Sequence, residues 1–133
     1  MTDEAVIIID KVELRASFLT LRSDGVMHIH MKGVEEVLAD DLRDIVNALY
    51  TMGNGKKFLN MVTFQSFFIV DKETRKFGAT EFVGKYTLAD AIVVNSVALK
   101  LLINFYIAFN KPDRPTRMFE NEAKAIEWLK TFS

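Results

Sequence analysis

With 133 residues, 50% hydrophobic and 26% charged, the chain is long enough to bury a substantial core as one domain spanning residues 1–133. It has no cysteine, which excludes disulfides, thiolate nucleophiles and Cys-ligated zinc or iron-sulfur centres. A formal net charge of -1 and a pI near 6.1 give no long-range field to gather phosphodiesters, so nucleic acid is not an expected partner.

The first residues, 1–11, form a candidate N-terminal arm. Within them Ala5 to Ile9 is apolar but follows Asp3 and Glu4 and is too short for a signal core. Val6 to Ile9 fits either a short edge strand, the preferred reading, or an apolar arm packed on a partner. Val12 to Arg22 reads as extended. Phe18 and Leu19 stand side by side there and break the period of two, so a bulge or strand break is expected near Ser17. Ser23-Asp24-Gly25 supplies a turn, and Val26 to Lys32 returns with Met27, Ile29 and Met31 on one face and His28 and His30 on the other.

Leu38, Leu42, Ile45, Val46 and Leu49 follow helical spacing, with Asp40, Asp41 and Asp44 near the positive end of the helix dipole and Gly53-Asn54-Gly55 as the stop. Phe58 to Phe64 is apolar on both faces, as an interior strand requires. Gln65 to Val70 should be a polar connection, yet it carries Phe67, Phe68 and Ile69. Asp71 caps a helix predicted to run to about Val83.

Leu88 to Phe109 is the most apolar stretch. It reads as a buried strand through Val94, a capping turn at Asn95-Ser96, and a helix in which only Ser96, Lys100 and Asn104 make a polar stripe. The helical run is shorter than the ~20 residues a membrane span needs, so a cytoplasmic protein is expected. Pro112 and Pro115 force a loop, Thr116 to Phe119 is a short strand, and Glu120 or Asn121 opens a last helix with Ala125, Ile126 and Leu129 on its apolar face. The expected fold is α/β. An N-terminal β-hairpin is followed by repeated helix-strand units, giving a mixed four- to five-stranded sheet with four helices.

Several segments resemble an uncharacterised group of small bacterial STAS-like proteins, related in fold to the anti-sigma-factor antagonists (SpoIIAA-like). They are Thr87 to Val94, Asn104-Phe105-Tyr106, Lys111-Pro112 with Arg114-Pro115-Thr116, and Phe119 followed by Ala125 to Leu129. Asp24-Gly25, Gly53 to Lys57 and Asp71 to Phe77 also look like that group. The resemblance covers roughly Val12 to Phe132 and implies a STAS/SpoIIAA-like fold used for protein contacts rather than catalysis. In the antagonists a serine at a helix start is phosphorylated. The matching place here is Asp71-Lys72, which has no serine, with Ser66 and Thr74 nearby. Distant relatives of the fold are named alongside lipid-binding domains, which gives an apolar ligand some support.

The strongest signal in the residues themselves is surplus apolar surface. Phe67, Phe68, Ile69, Leu101, Leu102, Phe105, Tyr106 and Phe109 exceed what one sheet face covers, and contiguous exposed patches mark interaction sites. The expectation is therefore a non-enzymatic interaction module that forms a homodimer and could bind a further protein; alternatively, the same residues line a cavity for an apolar ligand or lipid. Ser66, Thr74, Asn95 and Ser96 are weaker candidates for a phosphorylation or anion site. His28 and His30 could share a metal but lack a third ligand, and an exposed polar strand face explains them better. Asp90, inside an apolar strand, must be paired, hydrogen-bonded or neutral. No catalytic constellation, metal or cofactor is expected.

Overall fold

A computed structural model describes residues 5–133 of the chain. Six strands form one sheet in sequence order: β1 (Ile8–Glu13), β2 (Ser17–Arg22), β3 (Val26–Met31), β4 (Phe58–Phe64), β5 (Thr87–Val93) and β6 (Thr116–Phe119). β1–β2 and β2–β3 pair antiparallel, and β3 to β6 pair parallel, so the sheet is mixed and parallel in its later half as expected. The count exceeds the expected four to five strands because the run from Val12 to Arg22 is two strands. The chain reverses at Leu14 to Ala16, where Leu14 N–H donates to Ser17 C=O at 2.8 Å, and Glu13 then lies opposite Phe18. The doubled Phe18-Leu19 is thus the restart of a new strand after a reversal.

The β2–β3 turn depends on Gly25, whose φ of +87° suits glycine, and on Asp24, which accepts from Val26 N–H at 3.1 Å and pairs with Arg22 at 2.7 Å. β1 is an edge strand. Ile7 and Ser23 exchange hydrogen bonds at its start, while the side chains of Ile7, Ile8 and Ile9 remain exposed. The arm reading therefore survives only ahead of β1, and residues 1–4 lie outside the described residues.

Three crossovers carry the chain across the parallel strands through α1 (Ala39–Gly53), α2 (Lys72–Gly78) and α3 (Val97–Phe105). They advance in one direction, so crossovers of common hand set all three helices on one face. The main core forms there, with Leu19, Ile29, Met31, Leu49, Ile92, Leu99 and Ile103 buried. α4 (Glu122–Leu129) alone covers the opposite face, where Ala125 and Leu129 pack on Val26, Leu59, Met61, Ala89 and Ala91. The small side chains of Ala89 and Ala91 leave room for that helix.

Caps explain where the helices begin. Asp41 accepts from Leu38 N–H at 2.8 Å, Asp71 from Thr74 N–H at 2.7 Å, Ser96 from Leu99 N–H at 3.2 Å and Asn121 from Lys124 N–H at 2.9 Å. α1 ends on Asn54 in the left-handed region, next to Gly55. α2 stops at Gly78 rather than near Val83. The Arg114 guanidinium donates to the released carbonyls of Gly78 at 2.9 Å and Thr80 at 3.4 Å, and Asp113 N–H reaches Ala79 C=O. A cation from a distant loop thus takes the place of a further helical turn. α3 likewise passes into a single π-helical turn, Tyr106–Asn110, before Lys111 turns left-handed.

Because α4 is the only helix on its face among the described residues, a cavity there has no second helix to refill it. Leu129→Ala should lower unfolding free energy by about 2 to 5 kcal/mol, a large part of the ~5–15 kcal/mol of a typical domain. Urea melts followed by circular dichroism would show it; a loss within error of zero would mean the face does not depend on this helix.

Candidate functional site

Three features stand out, and two of them share helix α3. On its outward side Val97, Leu101, Phe105 and Phe109 are 74%, 66%, 45% and 71% exposed and follow one another at helical spacing. Phe105 and Phe109 stack at 4.6 Å between ring centroids, and the Arg75 guanidinium lies 5.4 Å from the Phe105 ring. Leu99 and Ile103 take the inward side, with Leu102 and Tyr106 half-buried. The last helix cannot cover the outward row because it lies on the other face of the sheet.

In the loop after β4, Phe67 and Ile69 are exposed, whereas Phe68 turns inward at 9% exposure and stacks on Phe64 at 5.6 Å. The loop is held by pairing with the segment before α1. Ile69 N–H donates to Glu35 C=O at 2.8 Å, and Val37 N–H to Ile69 C=O at 2.9 Å. Phe68, Leu102 and Tyr106 therefore belong to the interior, and Phe67, Ile69, Leu101, Phe105 and Phe109 to the surface.

The second feature is a cavity of about 170 Å³ between the sheet and helices α1 to α3. Its walls are mostly apolar, with Ile29, Val62, Phe68, Ile92 and Leu102 among them. One end is polar. Arg114 Nε donates to Asp90 at 2.9 Å, and both side chains are close to nine-tenths buried. Asn60 Nδ2 donates to Thr87 Oγ1 at 2.8 Å and to Asp90 Oδ1 at 3.1 Å. Burial opposes the charge on Arg114, but Asp90 and Tyr106 beside it outweigh that and raise its pKa, so the guanidinium stays charged. Burial pushes the Tyr106 phenol up to about 12 despite the neighbouring cation. Asp90 is thus paired and hydrogen-bonded, one of the states its position in an apolar strand demanded.

The third feature is a mixed-polarity groove at the C-terminal ends of β3 to β6, on the α4 face, lined by His28, His30, Thr63, Asn95 and Glu120 to Glu122. His28 Nε2 and His30 Nδ1 lie 2.7 and 2.8 Å from the one Thr63 hydroxyl, which holds both rings half-buried against the sheet. Glu120 is engaged by Lys100 at 2.6 Å. Among the described residues no group of three or more His, Asp or Glu is placed to hold a metal ion. Burial holds the His28 pKa below its ordinary 6.5, with Glu122 working the other way and His30 and Arg22 adding to the depression.

The candidate phosphorylation or anion residues do not gather. Ser66 is exposed in the Phe67 loop, Thr74 is buried under α2, and Asn95 and Ser96 sit at the start of α3, where the Ser96 hydroxyl is spent on capping. Sequence reasoning missed Asn60, Thr87 and Arg114 as parts of the cavity's polar end. Arg114 lies in a proline-bounded loop, and nothing local in the sequence shows that Asp90, 24 residues away, is its partner.

Among the described residues, these features define an α/β protein with a mixed six-stranded sheet, four helices, an apolar helix face and a partly open, largely apolar cavity. The chain belongs to the family described as Domain of unknown function (DUF7793), whose model matches residues 19–133. No curated protein matches. Among solved structures it is similar to an uncharacterised DUF3478-family protein from Shewanella loihica PV-4 with a SpoIIAA-like fold. That match has 12% identity and a TM-score of 0.47, covering 97% of this chain and 98% of that one. Another match, a protein of unknown function from Arthrobacter sp. FB24, has 20% identity and a TM-score of 0.28, covering 84% and 97%.

Two outcomes follow from the geometry. Arg114→Leu leaves the Asp90 carboxylate buried without its cation and should cost about 3 to 5 kcal/mol in urea melts, whereas Lys100→Leu, at an exposed pair, should leave stability nearly unchanged. Equal effects would mean the buried pair carries no special weight. The depressed His28 pKa means the unfolded chain takes up a proton there more readily than the folded one. Stability should therefore fall as pH drops below about 6.5 toward the folded-state pKa. His28→Gln should flatten the pH 7 to 5 part of the stability profile while leaving the steeper loss below about pH 4, where carboxylates such as Asp24 and Asp41 protonate. An unchanged slope between pH 7 and 5 would show that His28 does not contribute it.

Proposed function

We propose that this protein is a non-enzymatic, STAS-like interaction module that associates with a second copy of itself through the outward face of α3. One observation carries the reading: Val97, Leu101, Phe105 and Phe109 form an exposed apolar row that no element among the described residues covers. A row along one helix is self-complementary, because two copies related by a two-fold axis lay the same residues against each other. Lys100, on the same helix, is drawn aside to Glu120, and the Arg75 guanidinium lies against the Phe105 ring. The order of elements and the sequence resemblance to the STAS-like group support an interaction role. A catalytic role has only isolated groups behind it: the histidines are tied to Thr63 and Ser96 is a cap. Among the described residues no helix is long and apolar enough to cross a membrane, and a cytoplasmic location remains part of this proposal.

A second reading is that the protein binds an apolar ligand, and the largely apolar cavity between the sheet and α1 to α3 favours it. The two readings use different residues, the outward row for association and the inward wall for a ligand.

Sizing with light scattering tests the first. The native protein should run as a dimer at micromolar concentration, and Leu101→Asp or Phe105→Asp should give monomers with an unchanged circular dichroism spectrum. Phe68→Asp should instead unfold the chain, because Phe68 is inside. A native protein that is monomeric at these concentrations would remove the homodimer.

A further inference from the structure

We propose that the cavity between the sheet and helices α1 to α3 takes a compact, single-ring apolar molecule bearing one hydrogen-bond donor, of the size and polarity of a phenol. The inference rests on the second reading above and names the ligand class for it. Volume limits the occupant. A cavity of ~150 Å³ lined by aliphatic and aromatic side chains accommodates benzene, so about 170 Å³ suits one ring with a substituent.

Asn60 sets the polarity. The residue is 2% exposed and lines the cavity. Its Nδ2 spends its hydrogens on Thr87 Oγ1 and Asp90 Oδ1, at 2.8 and 3.1 Å. The amide cannot be turned over, because the Asp90 oxygen, which accepts from Arg114 through the other arm of the same carboxylate, would then face the amide oxygen, acceptor against acceptor. Asn60 Oδ1 is therefore left as a buried acceptor with no donor among the described residues. Such a group weakens the fold until something donates to it. A hydroxyl or ring N–H on an otherwise apolar molecule does so while its ring fills the space between Val62, Ile92 and Leu102.

This arrangement predicts an order of affinity opposite to that of a purely apolar cavity. Where every wall is apolar, toluene is favoured over phenol because the hydroxyl would be buried unpaired. Opposite Asn60 Oδ1 the hydroxyl is paired, and phenol should bind about five- to tenfold more tightly than toluene. Titrations of the isotope-labelled full chain with phenol and with toluene, followed by amide and methyl NMR, test this directly. Phenol should give saturable shifts centred on the Asn60 side-chain amide and the Val62, Ile92 and Leu102 methyls, with toluene weaker at the same positions. Val62→Phe, which fills the space from the sheet, should abolish both. Asn60→Leu should lose the preference for phenol; if that variant does not fold, the order measured on the native chain decides.

Toluene binding as tightly as phenol would overturn this inference and leave an apolar-ligand cavity standing. Saturable binding of neither probe, or phenol shifts that persist in Val62→Phe, would overturn both.

Discussion

The buried pair between Asp90 and Arg114 is the constraint on which the rest of this structure depends. Neither charge can be left alone at that depth, because the cost of removing a lone ion from water exceeds what one side chain's packing returns. Their pairing therefore fixes several elements at once. Asp90 lies mid-strand in β5, and Arg114 lies in the proline-bounded loop that delivers β6. The same guanidinium closes the end of α2 through Gly78 and Thr80. Asp90 in turn orients Asn60 on β4, so one ion pair sets the register of two strands, a helix end and the polar end of the cavity. Glycine at position 84 is part of this arrangement, since a Cβ there would sit 2.7 Å from the Arg114 side chain.

The uneven coverage of the sheet has a topological cause. Once three crossovers advance in the same direction with the same hand, their helices cannot be shared between faces. The chain has one helix left for the other side, and the alanines of β5 let it lie close. The crowded face then has three helices side by side over six strands, and among the described residues the outer surface of α3 has no further layer to bury it. Its apolar row follows from this. The helix is apolar nearly all round because one side meets the core and the other side meets solvent or a partner, and a helix that faced only a sheet would need an apolar stripe of about 100°.

Much of this was legible in the residues, and the failures have identifiable physical origins. Alternation in Val26 to Met31 assigned each side chain to its face, and Asp71 and Ser96 were readable as caps because capping is chemistry between near neighbours. The reversal at Leu14 to Ala16 was not legible, since it contains neither glycine nor proline and is closed by backbone alone. The early end of α2 was hidden for a different reason: the group that ends it comes from position 114. The inward turn of Phe68 between exposed Phe67 and Ile69 depends on pairing with residues 35 to 37, again a long-range cause. Surplus apolar surface could be counted in the sequence. Its division between the outward row and the cavity wall needed the direction of each side chain.

The proposed association and the proposed ligand site use opposite sides of a single helix. Leu101 and Phe105 face outward, while Leu102 and Ile103 face the cavity from the intervening positions. The π-helical turn at Tyr106–Asn110 sits where the two sides meet. Tyr106 lines the cavity and Phe109 ends the outward row, and π turns carry an extra residue that lets a helix change the direction of its side chains. If both proposals hold, whatever coupling runs through α3 must be reciprocal: a ligand that tightens association is itself bound more tightly by the associated form, by the same factor.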